Sequence, residues 1–134
     1  MKKVVCIGEM LIDFVYVDTN AGLSKGSNFI KKPSGAPANV AALGNEPFGT
    51  YLKNEVVDYH VNTDFVETVD MPTTLAAVSL AYDGEREFAF NRGDDEHLTL
   101  SDIAMATLLN NAICQLVLFT TQKRSSFSSY LHKY

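Results

Sequence analysis

The chain lacks the long apolar run of a membrane protein and the basic excess of a nucleic-acid-binding protein. No stretch of its 134 residues approaches the ~18 consecutive apolar residues of a transmembrane helix. Its formal net charge is −5, which argues against a surface for nucleic-acid phosphates. The start superficially resembles a signal peptide, but Glu9 and Asp13 interrupt its apolar part. We therefore expect a cytoplasmic protein with no membrane and no nucleic-acid partner.

The sequence also offers little for a metal or redox centre. Its two cysteines, Cys6 and Cys114, match no metal-binding or redox spacing, so we expect both to be buried thiols. The three histidines have no ligand spacing with the cysteines or with one another. The acidic run 94–96 is interpreted as a charged loop rather than a cation site. No metal site is predicted.

Charge is unevenly distributed along an otherwise ordinary globular sequence, which is 46% hydrophobic and 20% charged. All 16 acidic residues lie at or before Asp102. The segment 122–134 is basic and has no clear periodicity. It is either a solvated basic tail or a segment foreign to the rest of the chain, as a frameshift or an aberrant gene end would make it. We favour the second interpretation and place the domain at residues 1–121.

Local patterns predict an α/β protein. Residues 4–7 form an apolar, β-branched run that is typical of a buried parallel strand. This strand leads to Asp13, and ligands of α/β sheets bind where strands end. Asp83-Gly84 predicts a two-residue type I′ turn between the strands 74–82 and 85–92. Further predicted elements are extended segments at 14–17, 28–32 and 65–69, helices at 48–57 and 100–111, and a strand at 113–120.

The segment 33–41, Pro-Ser-Gly-Ala-Pro-Ala-Asn-Val-Ala, combines small residues with one amide side chain. Gly35 allows the backbone to approach a ligand closely. Pro37 favours the first turn of a helix, which we predict over 37–43 and which Gly44 would end. Asn39 supplies a donor and an acceptor beside the free N–H groups of that helix start. Such a site suits a small molecule with hydroxyl groups, such as a sugar.

Three segments in this order, 8–14, 33–41 and 83–93, resemble the PfkB (ribokinase-like) carbohydrate kinases, and the fructokinases in particular. The resemblance runs from Val4 to about Asp102. It implies a ribokinase-like α/β fold in which a truncated, Rossmann-like parallel sheet carries a small β-lid. The lid strands would lie at about 14–18, 28–32 and 74–92. Members of the family transfer a phosphoryl group from ATP, with Mg²⁺, to a sugar, which in fructokinases is D-fructose.

The resemblance implies four sugar-contacting residues: Asp13, Gly35, Asn39 and Arg92. Ser34 replaces the usual second glycine of the family. Taken without the resemblance, Asn39 is an ordinary helix-start residue and Arg92 a solvated arginine at a strand end. Thr73 and Thr74 are weaker candidates for hydroxyl groups near the lid, because threonine is common in strands.

Two parts of the family pattern are missing. The chain passes directly from 41–43 to the segment 44–49, so we expect the end of a helix and one central strand to be absent, which would leave a gap in the core unless the sheet pairs anew. The Gly-Ala-Gly-Asp element that supplies the catalytic base is absent too, and no P-loop replaces it. We therefore expect no catalytic, cofactor-binding or metal-binding residue in this chain.

Two functions are consistent with these observations. In the first, the chain is a truncated fructokinase-like kinase that we expect to be inactive alone and to bind ATP and Mg²⁺ poorly. Alternatively, it is a non-catalytic module that binds sugar or dimerises through the exposed strands of the lid.

Overall fold

The computed structural model describes residues 3–18, 22–35, 40–81, 83–94 and 112–117. Four of its strands form a parallel core sheet in the order β5-β4-β1-β8. These strands are β1 (Lys3–Gly8), β4 (Val40–Gly44), β5 (Phe65–Val69) and β8 (Ala112–Val117). The parallel sheet that the β-branched run at 4–7 predicts is thus confirmed, with β1 in an inner position.

A second, mixed sheet has the strand order β3-β2-β6-β7. Its strands are β2 (Met10–Tyr16), β3 (Phe29–Gly35), β6 (Leu75–Leu80) and β7 (Arg86–Asn91). The pair β2–β6 is parallel, and the pairs β2–β3 and β6–β7 are antiparallel. Two helices complete the described structure: α1 (Gly22–Lys25) and α2 (Pro47–Asp58).

The main core lies where α2 packs between the two sheets. Leu52 of α2 is fully buried with Leu43 of β4 and Ile12 of β2. The ring of Phe48 meets that of Phe14 edge-on, with centroids 5.8 Å apart. Alternation along β2 therefore directs Ile12 and Phe14 to the helix, while Leu11 and Asp13 belong to the opposite face.

The segment around the missing family residues differs from our prediction. Of the helix predicted over 37–43, residues 37–39 lie outside the described ranges, and the rest belongs to strand β4, which pairs with β1 and β5. Of the two outcomes that the missing strand left open, a gap or a sheet that pairs anew, the structure shows the second, because β4 pairs with β1 and β5. Four apolar residues before Gly44 are too few for a stable helix, and β5 offers a strand partner along all five positions of β4.

The hairpin of β6 and β7 is confirmed, but its turn type is not. Ala81 N–H donates to the Glu85 carbonyl (2.9 Å) and Gly84 N–H to the Ala81 carbonyl (3.1 Å), so the loop spans three residues, 82–84. Gly84 has φ +87°, whereas Asp83 is not among the described residues with positive φ. A type I′ turn needs positive φ at both central positions, which aspartate adopts at a cost that the longer loop avoids.

Other predictions had mixed outcomes. The helix 48–57 and the strand 65–69 are confirmed as α2 and β5, and β8 confirms the strand predicted at 113–120 in part. Cys6 is only partly buried, so the expectation of a fully buried thiol is wrong for it, because it points to the face of β1 that also carries half-exposed Val4. The helix predicted at 100–111, the acidic residues 95–96 and the basic tail 122–134 lie outside the described residues.

Candidate functional site

The site is organised around Glu9, which joins the two sheets. Glu9 is the single residue between β1 of the core sheet and β2 of the second sheet. Its carbonyl group faces Gly35, which pairs with Met10 at the end of β3 and has φ +103°. A Cβ atom at position 35 would lie 2.2 Å from the Glu9 oxygen. The structure therefore explains Gly35 by its close contact with the backbone of Glu9, while the predicted approach of this glycine to a ligand stays a prediction.

Arg92 reaches the same place from the end of β7. Its Nη1 lies 3.8 Å from Oε2 of Glu9. The Glu9 side chain is only 1% exposed, whereas that of Arg92 is 36% exposed. The guanidinium also lies over the ring of Phe90, 5.0 Å from its centroid. The arginine thus lies between a buried carboxylate and an aromatic ring, and its side chain stays partly exposed.

Asp13 lies in the middle of β2, within the second sheet. This position corrects our prediction, which placed Asp13 at the end of a core strand. The strand continues past Asp13 because residues 10–16 pair with β3 on one side and, through 12–15, with β6 on the other. In the register of the sheet, Asp13 aligns with Lys32, Ala76 and, through Ala76, with Phe90. Asp13 and Phe90 therefore share one face, two strands or about 10 Å apart.

We call this surface the site face, defined by Glu9, Asp13, Phe90 and Arg92. Residues 9, 11 and 13 alternate to one side of β2, and the ion pair to Arg92 confirms that β7 presents its end to that side. Asp13 is partly buried and lies about 13 Å along the strand from Glu9. The structure thus brings Gly35 and Arg92 together at Glu9 and places Asp13 on the same face. Asn39 lies outside the described residues.

Asp94 is a buried structural carboxylate and not part of a charged loop, which corrects our interpretation of this residue. It is fully buried, and its Oδ2 and Oδ1 accept the N–H groups of Gly44 and Thr74, both at 2.8 Å. Its own N–H donates to the carbonyl of Pro72 (2.9 Å). The two N–H groups that the carboxylate accepts offset the cost of burying its charge. Asp94 therefore ties the end of β4 to the start of β6.

The weaker candidates Thr73 and Thr74 are buried and serve the same junction. The Thr74 hydroxyl accepts the Gly93 N–H at 2.9 Å, and the Thr73 hydroxyl donates to the carboxylate of Glu46. Glu46 also caps α2, since it accepts the N–H groups of Phe48 (2.7 Å) and Gly49 (3.2 Å). Both threonine hydroxyls are thus engaged within the protein, and sequence reasoning overestimated them as ligand contacts.

The pKa of Glu46 reflects this engagement. Burial raises the pKa, but the hydrogen bond from the Thr73 hydroxyl and those from the backbone of Phe48, Thr73 and Gly49 lower it more. The net direction is below the ordinary value, so Glu46 is a fixed anion and not an acid–base group at neutral pH.

The part of the chain that the structure describes holds no group of three or more His, Cys, Asp or Glu side chains that would bind a metal ion. Within the same ranges, no helix combines the length and the apolar character needed to cross a membrane.

Comparison with known proteins identifies the family. Residues 1–125 match the pfkB family carbohydrate kinase model. The chain is 41% identical over 116 residues to a probable fructokinase-2 of Arabidopsis thaliana, covering 72% of this chain and 34% of that protein. It is 37% identical over 114 residues to fructokinase-2 of Zea mays, with 74% and 34% covered. The chain thus spans about a third of the length of these relatives.

Comparison with solved structures shows the same fold in sugar kinases. The fold matches an uncharacterized sugar kinase from Pyrococcus horikoshii in complex with ATP at a TM-score of 0.78 and 25% identity, covering 97% of this chain and 49% of that one. It also matches the fructokinase of Halothermothrix orenii at a TM-score of 0.73 and 23% identity, with 85% and 45% covered. With its ribokinase-like α/β fold, the chain belongs to the pfkB family of carbohydrate kinases.

Proposed function

We propose that residues 1–121 are the sugar-binding part of a fructokinase-like kinase and that the second sheet is its lid. Asp13, Gly35, Asn39 and Arg92 contact a hexose, most simply D-fructose. The observation that carries this proposal is the meeting of Gly35 and Arg92 at Glu9, because the two lie far apart in sequence and the resemblance names both as sugar contacts. A cytoplasmic location stays a prediction from the sequence.

The site face has the chemistry that a neutral sugar needs. The Asp13 carboxylate accepts hydroxyl protons, and the Arg92 guanidinium donates to hydroxyl oxygens. Asp13 and Phe90 stand about 10 Å apart across the strands, and Arg92 lies beyond Phe90, so its long side chain can reach towards a ligand seated between them. The half-exposed ring of Phe90 offers an apolar surface for the C–H groups of the sugar.

We further propose that the polypeptide of residues 1–134 does not transfer phosphate by itself. Phosphoryl transfer needs a phosphate-binding element, a metal and a base for the attacking hydroxyl. The sequence 1–134 contains neither the Gly-Ala-Gly-Asp element nor a P-loop, and the described residues offer no metal-binding cluster. These residues do not fit ATP and Mg²⁺, so we derive no catalytic step through them.

The internal deletion belongs to the same proposal. The alignment with the Arabidopsis relative spans 116 residues but covers only 72% of this 134-residue chain. The alignment is therefore longer than the part of this chain that it covers, and the relative has positions without a counterpart here. A deletion between Leu43 and Gly44 would produce this pattern. It would also loosen the segment that carries Asn39, so we expect fructose to bind with a Kd in the millimolar range or weaker, about −4 kcal/mol.

Titration with fructose, ribose and glucose, followed by ¹H–¹⁵N NMR, tests the binding proposal. We expect fructose to shift resonances of the site face, and Asp13→Ala and Asn39→Ala to abolish those shifts. Asp70→Ala, at an exposed position, is the control. Binding that survives both site variants would refute the assignment. A coupled assay that detects ADP release dependent on sugar and abolished by Asp13→Ala would refute the predicted inactivity.

A second candidate function is pairing of two chains through the second sheet. One apolar row, Ile30, Val15, Val78 and Phe88, crosses all four strands. Its two ends are large and exposed, Ile30 by 44% and Phe88 by 50%. A second copy of the same sheet would cover both ends at once, as an isologous contact requires.

Sedimentation velocity over a concentration series tests this pairing. We expect a monomer–dimer equilibrium that Phe88→Ser shifts to the monomer and that Val57→Ser, a similarly exposed apolar position on α2, leaves unchanged. A monomer at all concentrations, or an equal effect of both variants, would contradict it.

A further inference from the structure

The two fully or nearly fully buried acidic residues of the described structure, Glu9 and Asp94, both act on the segment that carries Arg92. Glu9 is 3% exposed and Asp94 is 0% exposed. The Glu9 carboxylate faces the guanidinium of Arg92, and Asp94 follows Arg92 by two residues. Burying two charges is costly, so their retention at one arginine calls for a reason beyond stability.

The two carboxylates act on different parts of this segment. Asp94 holds the backbone, because its side chain bonds Gly44 N–H and Thr74 N–H and its own N–H bonds the Pro72 carbonyl. The Gly93 N–H adds a bond to the Thr74 hydroxyl at 2.9 Å. The chain is thereby fixed immediately after Arg92, where β7 has already ended.

Glu9 holds the other end of the arginine. An arginine side chain in solvent samples many rotamers, and ordering it on binding costs conformational entropy. The buried carboxylate at 3.8 Å and the Phe90 ring at 5.0 Å restrict that freedom before any ligand arrives. Since Glu9 also packs its carbonyl against Gly35, one residue sets the guanidinium relative to the backbone of the 33–35 segment.

From this geometry we infer that Glu9 and Asp94 are positioning residues that preorganise Arg92 for the sugar. This inference rests on the proposed sugar site and adds two residues to it, neither of which contacts the sugar. The functional consequence is a smaller ordering cost on binding, because the arginine is held in place in the free protein.

A double-mutant cycle with Glu9→Gln and Arg92→Ala tests the inference. If Glu9 acts through Arg92, Glu9→Gln weakens fructose binding about tenfold in the unmodified background and has no effect in the Arg92→Ala background. Asp94→Asn is the second variant, with the same expected pattern. Glu67→Gln and Asp70→Asn, at exposed positions, are the matched controls, and all variants are first compared by ¹H–¹⁵N spectrum.

Relaxation of the Arg92 Nε–H by ¹⁵N NMR gives a readout that needs no sugar. We expect a restricted group in the unmodified chain and a mobile group in Glu9→Gln, while both controls keep it restricted. Equal mobility of Arg92 with and without Glu9, or equal losses of affinity in both backgrounds, would overturn the inference. Failure of the unmodified chain to bind any sugar would instead refute the proposed function, and the relaxation data would still judge the role of Glu9.

Discussion

Gly35→Ala is the substitution whose effect the structure defines most sharply. Gly35 has φ +103°, a conformation in which an alanine is strained by about 1–2 kcal/mol or more. The new Cβ would also lie 2.2 Å from the carbonyl oxygen of Glu9 and 3.1 Å from the Cα of Met10. These are backbone atoms at the start of β2, so no side-chain rotation relieves the contact, and overpacking adds about 1–3 kcal/mol. We expect a total loss of about 2–5 kcal/mol in unfolding free energy.

Gly84→Ala separates the two contributions. Gly84 has φ +87°, but a Cβ there would have no atom within 4 Å. It therefore reports the conformational cost alone, about 1–2 kcal/mol. Urea denaturation followed by circular dichroism measures both variants against the unmodified chain. The reasoning fails if Gly35→Ala is no less stable than Gly84→Ala, because the close approach to Glu9 would then be absent.

Three further predictions address other contacts. The pKa of Asp18 is lowered from 3.8 to about 2, chiefly by the hydrogen bond from the Asn28 side chain, so the stability that its carboxylate adds is complete above that ordinary value and is lost as the pH falls towards 2. The difference in Tm between the unmodified chain and Asp18→Asn should shrink over that range. Thr73→Val removes a hydroxyl that donates to the carboxylate capping α2 and should cost about 1.5 kcal/mol in urea denaturation, whereas Thr73→Ser should restore most of it. Lys31→Met removes an ammonium 3.6 Å from the ring centroid of Tyr51 and should cost about 0.5–1 kcal/mol in the same assay.

Local patterns predicted most elements because neighbouring residues decide them. The β-branched run in β1 and the spacing of apolar residues in α2 each hold within a few residues of sequence. The failure at β4 has the opposite cause. Val40–Gly44 has no strong local preference, and its strand partners β1 and β5 decide its conformation.

The candidate site also contains residues that the sequence could predict and residues that it could not. The family resemblance named Asp13, Gly35 and Arg92, but it did not indicate Glu9 or Asp94, because their roles depend on partners distant in the chain. Asp94 bonds Gly44 across 50 positions, which no local pattern reveals. A signal for Glu9 was nevertheless present: a single charge between two apolar strands must be buried with a partner, and a basic residue elsewhere in the chain was the group to seek.

The bonds of Asp94 join parts of the molecule that are distant in the chain. Its carboxylate accepts the N–H of Gly44, 50 positions away at the end of β4, and that of Thr74, 20 positions away before β6. One side chain therefore links the core sheet to the second sheet. In native-state hydrogen exchange, groups that open in one event share one free energy of opening. The amides of Gly44 and Thr74 should then exchange together, so that one local opening at this junction would release both sheets from their common contact.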